Sequence, residues 1–542
     1  MTTPEPTAGT LAQGMSAHRS RSGVPLKGFY GASDARDVDE APGAFAFTRG
    51  RRADPAPVGG WIQRGLSGEG DPTRSNEQFR YLISQGQTGL NFIVDAPTQA
   101  LLDPDHPLAV NAVGTQGVSL CHKQDFLQLL RDLPLDRITV STSMTNGLFA
   151  LTAVYVAARE LGFAVDKLRG SVLQLPFYGE DVTYAVHVPF EGRVRMSCDV
   201  MEFCAKEMPR FHSFVEDTYF FSESGLNAVE EMALGFVEIR YLVREMLKRG
   251  VPIDSFAPRI AIVVNCGMDF FEEVSKLRAT RRLFAKMMRD EFGAIDPRSW
   301  SVAIASHTSG LSLTAQQPAN NIVRGTLQAL SLVLGGASAI EISGFDEAFR
   351  TPSEDAHRLG LRTQQIIELE TGITSVVDPL GGSHYVEALT SAMEGRIMAM
   401  IREIEGRGPP GDLIESGWFR NFFEGTIARY WSEIESGQRK VVGVNAHTVP
   451  PAEDMLLRDI AETKIRPYRD RIEQVREFKR RRDIGHVREA LAHVYTTARG
   501  SGNLVMPVVA AFDSEATIGE ISGTIRQAYG APYDAHGMVS PP

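Results

Sequence analysis

The 542-residue chain is too long for one small domain and close to the size of one large α/β barrel with extensions, so one to three domains are expected. With 43% hydrophobic and 23% charged residues, and with 50 glycines and 29 prolines scattered without period, the composition excludes fibrous and disordered chains. A formal net charge of −11 argues against a nucleic-acid or anionic-membrane binder, while leaving room for a local basic cleft around a phosphorylated ligand. No long apolar run and no apolar signal region occur, so a cytoplasmic location without membrane contact is expected. Cys121, Cys198, Cys204 and Cys266 form no CxxC pair and the 12 histidines show no HxxxH or HExxH spacing, so neither a disulfide framework nor a metal site is expected.

Residues 1–50 lack periodicity and read as an N-terminal arm, either a partner-binding segment or a loose tail. Residues 51–390 carry eight short apolar, β-branched runs: GLNFIVD (89–95), ITVSTSM (138–144), GSVLQL (170–175), HSFVED (212–217), RIAIVV (259–264), WSVAIAS (300–306), ASAIEIS (337–343) and ITSVVDP (373–379). Between them lie stretches with apolar residues at i, i+3, i+4 and i+7, several with a glycine stop such as Gly250 and Gly335. Eight strands alternating with helices predict an α/β fold, a (β/α)8 TIM barrel, and no GxGxxG follows a strand to support a dinucleotide fold. Chemistry in such barrels sits where strands end, here at Asp95, Met144, Thr145, Leu175, Asp217, Asn265, His307, Ser343 and Asp378. Small residues inside the strands, Ser141, Ser143, Ala303, Ala305, Ser338 and Ser343, predict an open axial channel if they face inward; period 2 alone leaves open that they face the helices. Residues 391–542 read as a C-terminal helical extension, and its basic run RPYRDRIEQVREFKRRRD reads as a solvated helix face with i,i+4 pairing.

Six segments, QFRYLISQGQTGLNFIVDAPT (78–98), FAPRIAIVVNCGMDFFEEVSKLRATRRLFAKM (256–287), HTSGLSLTAQQPANNIVR (307–324), GFDEAF (344–349), RTQQIIELETGITSVVDPLGGSHYVEALT (362–390) and WFRNFF (418–423), resemble the large, catalytic subunit of the adenosylcobalamin-dependent acyl-CoA mutases. The resemblance is colinear over about residues 40–540 and is nearest the two-subunit members, such as 2-hydroxyisobutyryl-CoA mutase, with methylmalonyl-CoA mutase more distant. It implies a barrel threaded by the pantetheine arm of an acyl-CoA and an isomerase that rearranges an acyl carbon skeleton. The family's DxHxxG cobalt-ligand motif is missing, so no flavodoxin-like cobalamin-binding domain is expected. The resemblance then implies a small cobalamin-binding partner subunit, in a homodimer or heterotetramer. The alternative is a repurposed scaffold that binds an acyl thioester without cobalamin radical chemistry.

Site residues carry over unevenly. The family's GYHxxEAG reads Thr218 to Gly225 here: Tyr219 and Glu223 are kept, whereas the histidine that would hydrogen-bond the thioester carbonyl is Phe220. In THxGYDSDHP the tyrosine between cofactor and substrate becomes Leu102, and in GTxQxD the substrate-contacting glutamine becomes Leu173. Methylmalonyl-CoA mutase's carboxylate-binding arginine corresponds to Thr183, which disfavours a free-carboxylate substrate. RxHxQT becomes Ala303, Ala305 and His307, which leaves His307 as a new acid-base candidate or a structural histidine bonded to backbone. Glu347 is kept where the family holds the deoxyadenosyl ribose. For the CoA phosphates the candidates are Arg259, Arg298 and, in the segment leading into the first predicted strand, Arg64.

Overall fold

The computed structural model describes residues 19–35, 40–54, 60–182, 188–461 and 465–542. Nine strands form one parallel sheet: β1 (Ile62–Arg64), β2 (Leu66–Ser67), β3 (Gly89–Phe92), β4 (Thr139–Thr142), β5 (Gly170–Gln174), β6 (Phe211–Asp217), β7 (Ile260–Cys266), β8 (Ala303–Thr308) and β9 (Ala339–Glu341). Their spatial order is β1-β9-β8-β7-β6-β5-β4-β3-β2. Because β1 and β2 are successive stretches of one extended segment, with β1 on β9 and β2 on β3, the ring closes across Gly65. The Gly65 amide leaves the strand ladder and donates to the Gln87 side chain at 3.2 Å, which divides the segment in two.

Two readings are corrected here. The run at 373–379 is not a strand: Ile373–Ser375 is a single 3₁₀ turn and Val376 is 58% exposed, because the sheet has already closed. The missing strand is the segment 62–67, so Arg64 stands on the barrel wall rather than ahead of it.

Side-chain alternation divides the strands into an inner and an outer face, interrupted in β6 by a register shift against β5 that leaves both Phe211 and Phe214 facing outward. Leu90, Phe92, Val140, Val172 and Phe211 pack outward against the helices Lys123–Leu130 and Gly147–Glu160 and against the C-terminal helices Ile484–Arg499, Val505–Asp513 and Ile518–Ala528. Phe214, Ile262, Val264, Ile304 and Ile340 pack outward against Ala228–Lys248, Phe270–Lys286 and His384–Glu405. The long helix Ala228–Lys248 begins with a capping box, in which Asn227 accepts from the Val229 and Glu230 amides and the Glu230 carboxylate accepts from the Asn227 amide. It stops at Gly250, whose φ of +76° is open to glycine without strain. Gly335 proves to be the last helical residue of Asn320–Gly335, and the left-handed stop is Gly336.

The described part of the arm is held against the barrel helices: the Ser22 amide and hydroxyl donate to Glu272 at 3.0 and 2.7 Å, and Val24 is buried. In the helix Asp470–Arg481 the basic run is partly a paired surface, as in Arg480 and Arg481 with Glu477. Lys479 and Arg471 instead reach inward, to Asp103 on the loop after β3 and to Asp125 in the first turn of the helix Lys123–Leu130, and tie the extension to the barrel.

Candidate active site

The interior of the barrel is more accessible than its wall. Facing the axis, Ser171, Val263, Ala303 and Ala305 stay partly exposed, whereas Val172, Ile262, Val264 and Ile304, on the opposite face of the same strands, are at most 1% exposed. A barrel packed to its axis reverses that order. Ser141, Ser143 and Ser343 share the inner set by alternation. Ser338 does not: it precedes β9 at the outer rim, 3.4 Å from the Arg51 guanidinium.

The lining has two faces. From β5 to β8, Leu173, Val215, Ala261, Val263 and Ala303 form an apolar wall with Phe220 folded against it. From β9 round to β5 the wall is polar, with Arg64 paired to Glu341 at 2.8 Å and donating to Ser141 at 2.8 Å. Asn91 donates to both Glu341 oxygens at 3.0 and 2.9 Å, and Ser171 continues the chain to Ser141 at 2.8 Å. Arg64 is therefore an interior residue with a carboxylate partner.

At the end where the strands finish, Tyr219, Glu223, His307 and Glu347 converge. Glu223 accepts from Asn265 Nδ2 and Ser309 Oγ at 2.8 Å each and from the Leu311 amide at 2.5 Å, so its carboxylate is immobile. Burial raises the Glu223 and Glu347 carboxyls; these donors, the Gly344 amide beside Glu347 and the nearby His307 counter the rise. Burial raises the Tyr219 phenol too, aided by Glu223 and Glu347. All three groups crowd Gly310, where an added Cβ would lie 3.2 Å from Glu223 Oε2, 3.4 Å from the Tyr219 hydroxyl and 3.6 Å from Glu347 Oε1. The His307 ring stands edge-on to Tyr219 at 4.7 Å. Its Nδ1 lies 2.9 Å from the Thr308 carbonyl, so Nδ1 carries a hydrogen and donates it there. His307 and Glu347 also line a side cavity of about 360 Å³. Phe220 presents no donor to this mouth. Leu102 borders a different cavity, between the loop after β3 and the C-terminal helix Ile518–Ala528. Thr183 lies outside the described residues.

The opposite end is basic. Arg137, Arg169, Arg210 and Arg259 stand within two residues of the starts of β4, β5, β6 and β7. Arg51, Arg137 and Arg169 border a cavity of about 660 Å³ whose lining also includes Ile62, Thr88 and Thr139. Arg259 is half-buried without a carboxylate partner among the described residues, and burial together with Arg298 and Arg210 lowers its basicity. Burial, helped by the field of Arg259 and that of Arg51, pushes the nearby His212 imidazole down to about 4. Arg298 is 77% exposed along its side chain and pairs with Asp296 at 2.6 Å. Sequence reasoning found Arg259 and missed the other three, although an arginine just ahead of four successive strands was the available signal.

A closed parallel sheet ringed by helices, with a cationic rim at one end and buried carboxylates beside an aromatic pair at the other, defines the class: a (β/α)8 barrel with its polar cluster where the strands end. The chain belongs to the methylmalonyl-CoA mutase family, whose profile matches residues 19–531. It is 36% identical to the 2-hydroxyisobutanoyl-CoA mutase large subunit of Aquincola tertiaricarbonis, over 93% of this chain and 91% of that one. It is 34% identical to methylmalonyl-CoA mutase of Rhizobium meliloti (strain 1021), over 94% of this chain and 72% of the other. For the human mitochondrial methylmalonyl-CoA mutase the identity is 31%, over 96% and 69%.

Proposed function

We propose that this chain is the large subunit of a two-subunit acyl-CoA mutase: it holds an acyl-CoA along the barrel axis and rearranges the acyl carbon skeleton together with a small cobalamin-binding subunit, as a homodimer or heterotetramer. The open interior between an arginine rim and a carboxylate-lined mouth carries this reading. Phosphates of the nucleotide are met at the rim by Arg259 and its neighbours, where a guanidinium binds phosphate while partly solvated. Arg298, already paired with Asp296, is a weaker member of that set.

The mouth fits an adenosyl group, because Glu223 and Glu347 are fixed acceptors for sugar hydroxyls around a glycine that leaves room for them. Adenosylcobalamin, when bound, supplies the organic radical that takes a hydrogen atom from the acyl group. The chain's own residues do the rest. Phe220 and Leu173 exclude water from the acyl end, Tyr219 stands over it, and His307, anchored through Nδ1, is the acid-base candidate beside it.

A second reading, an acyl-thioester-binding protein without radical chemistry, is favoured by the apolar side chains at Phe220 and Leu173, which remove two polar grips on the acyl group. Incubating the protein with a panel of acyl-CoAs, with and without adenosylcobalamin and a small cobalamin-binding subunit, separates the two. Isomerised product only in the complete mixture is expected. Acyl-CoA binding with no isomer in any mixture would leave the second reading standing.

A further inference from the structure

One buried acid at the mouth has no part in the roles above. Asp217 is the last residue of β6 and shares the inner face with Val215, which packs inside the barrel with Leu173 and Ala261. The residue before it, Glu216, points the other way, toward Glu238 on the helix Ala228–Lys248. Oδ1 of Asp217 accepts from the Phe220 amide at 3.3 Å. Oδ2 is buried with no hydrogen-bond partner among the described residues, and the residue as a whole is 1% exposed. An ionised carboxylate there would leave an uncompensated charge against an apolar wall. Burial and the charge of Glu341 push the acid up to about 8, so it carries its proton at neutral pH. The charged groups around it are Glu341 from β9 with its partner Arg64 from β1, Glu238 from the helix, and Glu216 and Tyr219 on its own segment.

A carboxylic acid kept neutral in an apolar wall acts as a hydrogen-bond donor. What it can satisfy is a neutral acceptor, since an anionic group would meet the carboxylate of Glu341. We infer that Asp217 donates from Oδ2 to the carbonyl oxygen of an acyl thioester held on the barrel axis, on the same wall as Phe220, whose ring cannot donate. This rests on the acyl-CoA reading above and adds the group that grips and polarises the carbonyl.

Calorimetry of the full chain with an acyl-CoA and with its S-alkyl-CoA thioether, which has CH₂ in place of the carbonyl, tests it between pH 6.5 and 9.5. The acyl-CoA is expected to bind about tenfold more tightly than the thioether at pH 6.5, the size of one buried hydrogen bond. That advantage belongs to the protonated acid and disappears as pH rises through about 8. Asp217→Asn keeps both the amide-accepting oxygen and a donor, so its advantage persists without a pH step. A ratio in the parent protein that is flat across this range, or a pH step that survives in Asp217→Asn, would overturn the inference while leaving CoA binding intact. Failure of both ligands to bind would overturn the acyl-CoA reading and this inference with it.

Discussion

Phe220 shows how much one position decides. Its ring is packed with Leu173 and Val215 against the inner wall, so a polar group placed there enters apolar surroundings. Phe220→His restores an imidazole, yet Leu173 and Ala305 still leave the acyl pocket without its other polar contacts, and groups that act as a unit are not additive. Isomerase turnover of Phe220→His is expected to stay within about tenfold of the parent, below the ~10²–10³ that one fully effective oxyanion donor provides. Steady-state kinetics on the complete system check this, and a gain beyond a hundredfold would show that the remaining losses are tolerated. Phe220 and Leu173 were legible from the motifs. Asp217 was legible only as a strand-end residue, because nothing in HSFVED tells which of Glu216 and Asp217 faces the axis until the pairing of β6 is known.

Between elements, β6 and the helix Ala228–Lys248 meet across two acids. Glu216 and Glu238 are both fully buried: burial and the charge of Glu238 raise Glu216, and burial raises Glu238 to about 8 against the Phe177 amide and Arg193, which lower it. Glu238 keeps one fixed contact, accepting from the Phe177 amide at 2.9 Å. The folded chain retains protons here that the unfolded chain releases above its ordinary carboxyl range near 4.5. Stability therefore falls as pH rises from about 4.5 to 8. Glu238→Gln keeps the acceptor and lacks the titration, so relative to the parent it should gain roughly 2–4 kcal/mol between pH 5 and pH 8. Urea unfolding at the two pH values measures this, and an equal difference at both would contradict it. At this scale the strands of β3 to β9 were readable because each is a short β-branched run bounded by turns. The first strand was not: six residues broken at Gly65, with Gln63 and Arg64 in its middle, look like a loop until the sheet has to close.

The barrel runs between two unlike ends, and small side chains such as Ser171, Ala303 and Ala305 leave its inner face partly accessible. Ala305→Leu adds volume to an open axis, so its stability cost should be below about 0.5 kcal/mol, whereas a filled core charges about 1–3 kcal/mol for the same insertion. Denaturant unfolding reads the first number, and a cost above 1 kcal/mol would mean that the axis is packed. The fold class and the motifs around Tyr219, Glu223 and Glu347 were visible in sequence, since both are local patterns. The rim was not, because Arg137, Arg169, Arg210 and Arg259 are far apart in the chain and become one surface only when four parallel strands align their starts.

Arg259 joins these scales, for it stands at the start of β7, at the end of the barrel opposite the mouth. Calorimetry of an acyl-CoA against the parent protein and Arg259→Ala is the most direct test of a CoA lying along the axis. Affinity should weaken by about 1–3 kcal/mol in the variant, the range of one charge-assisted hydrogen bond, with the fold intact. Parent binding should also weaken with added salt. Unchanged affinity in Arg259→Ala, or no acyl-CoA binding by the parent protein, would contradict the account.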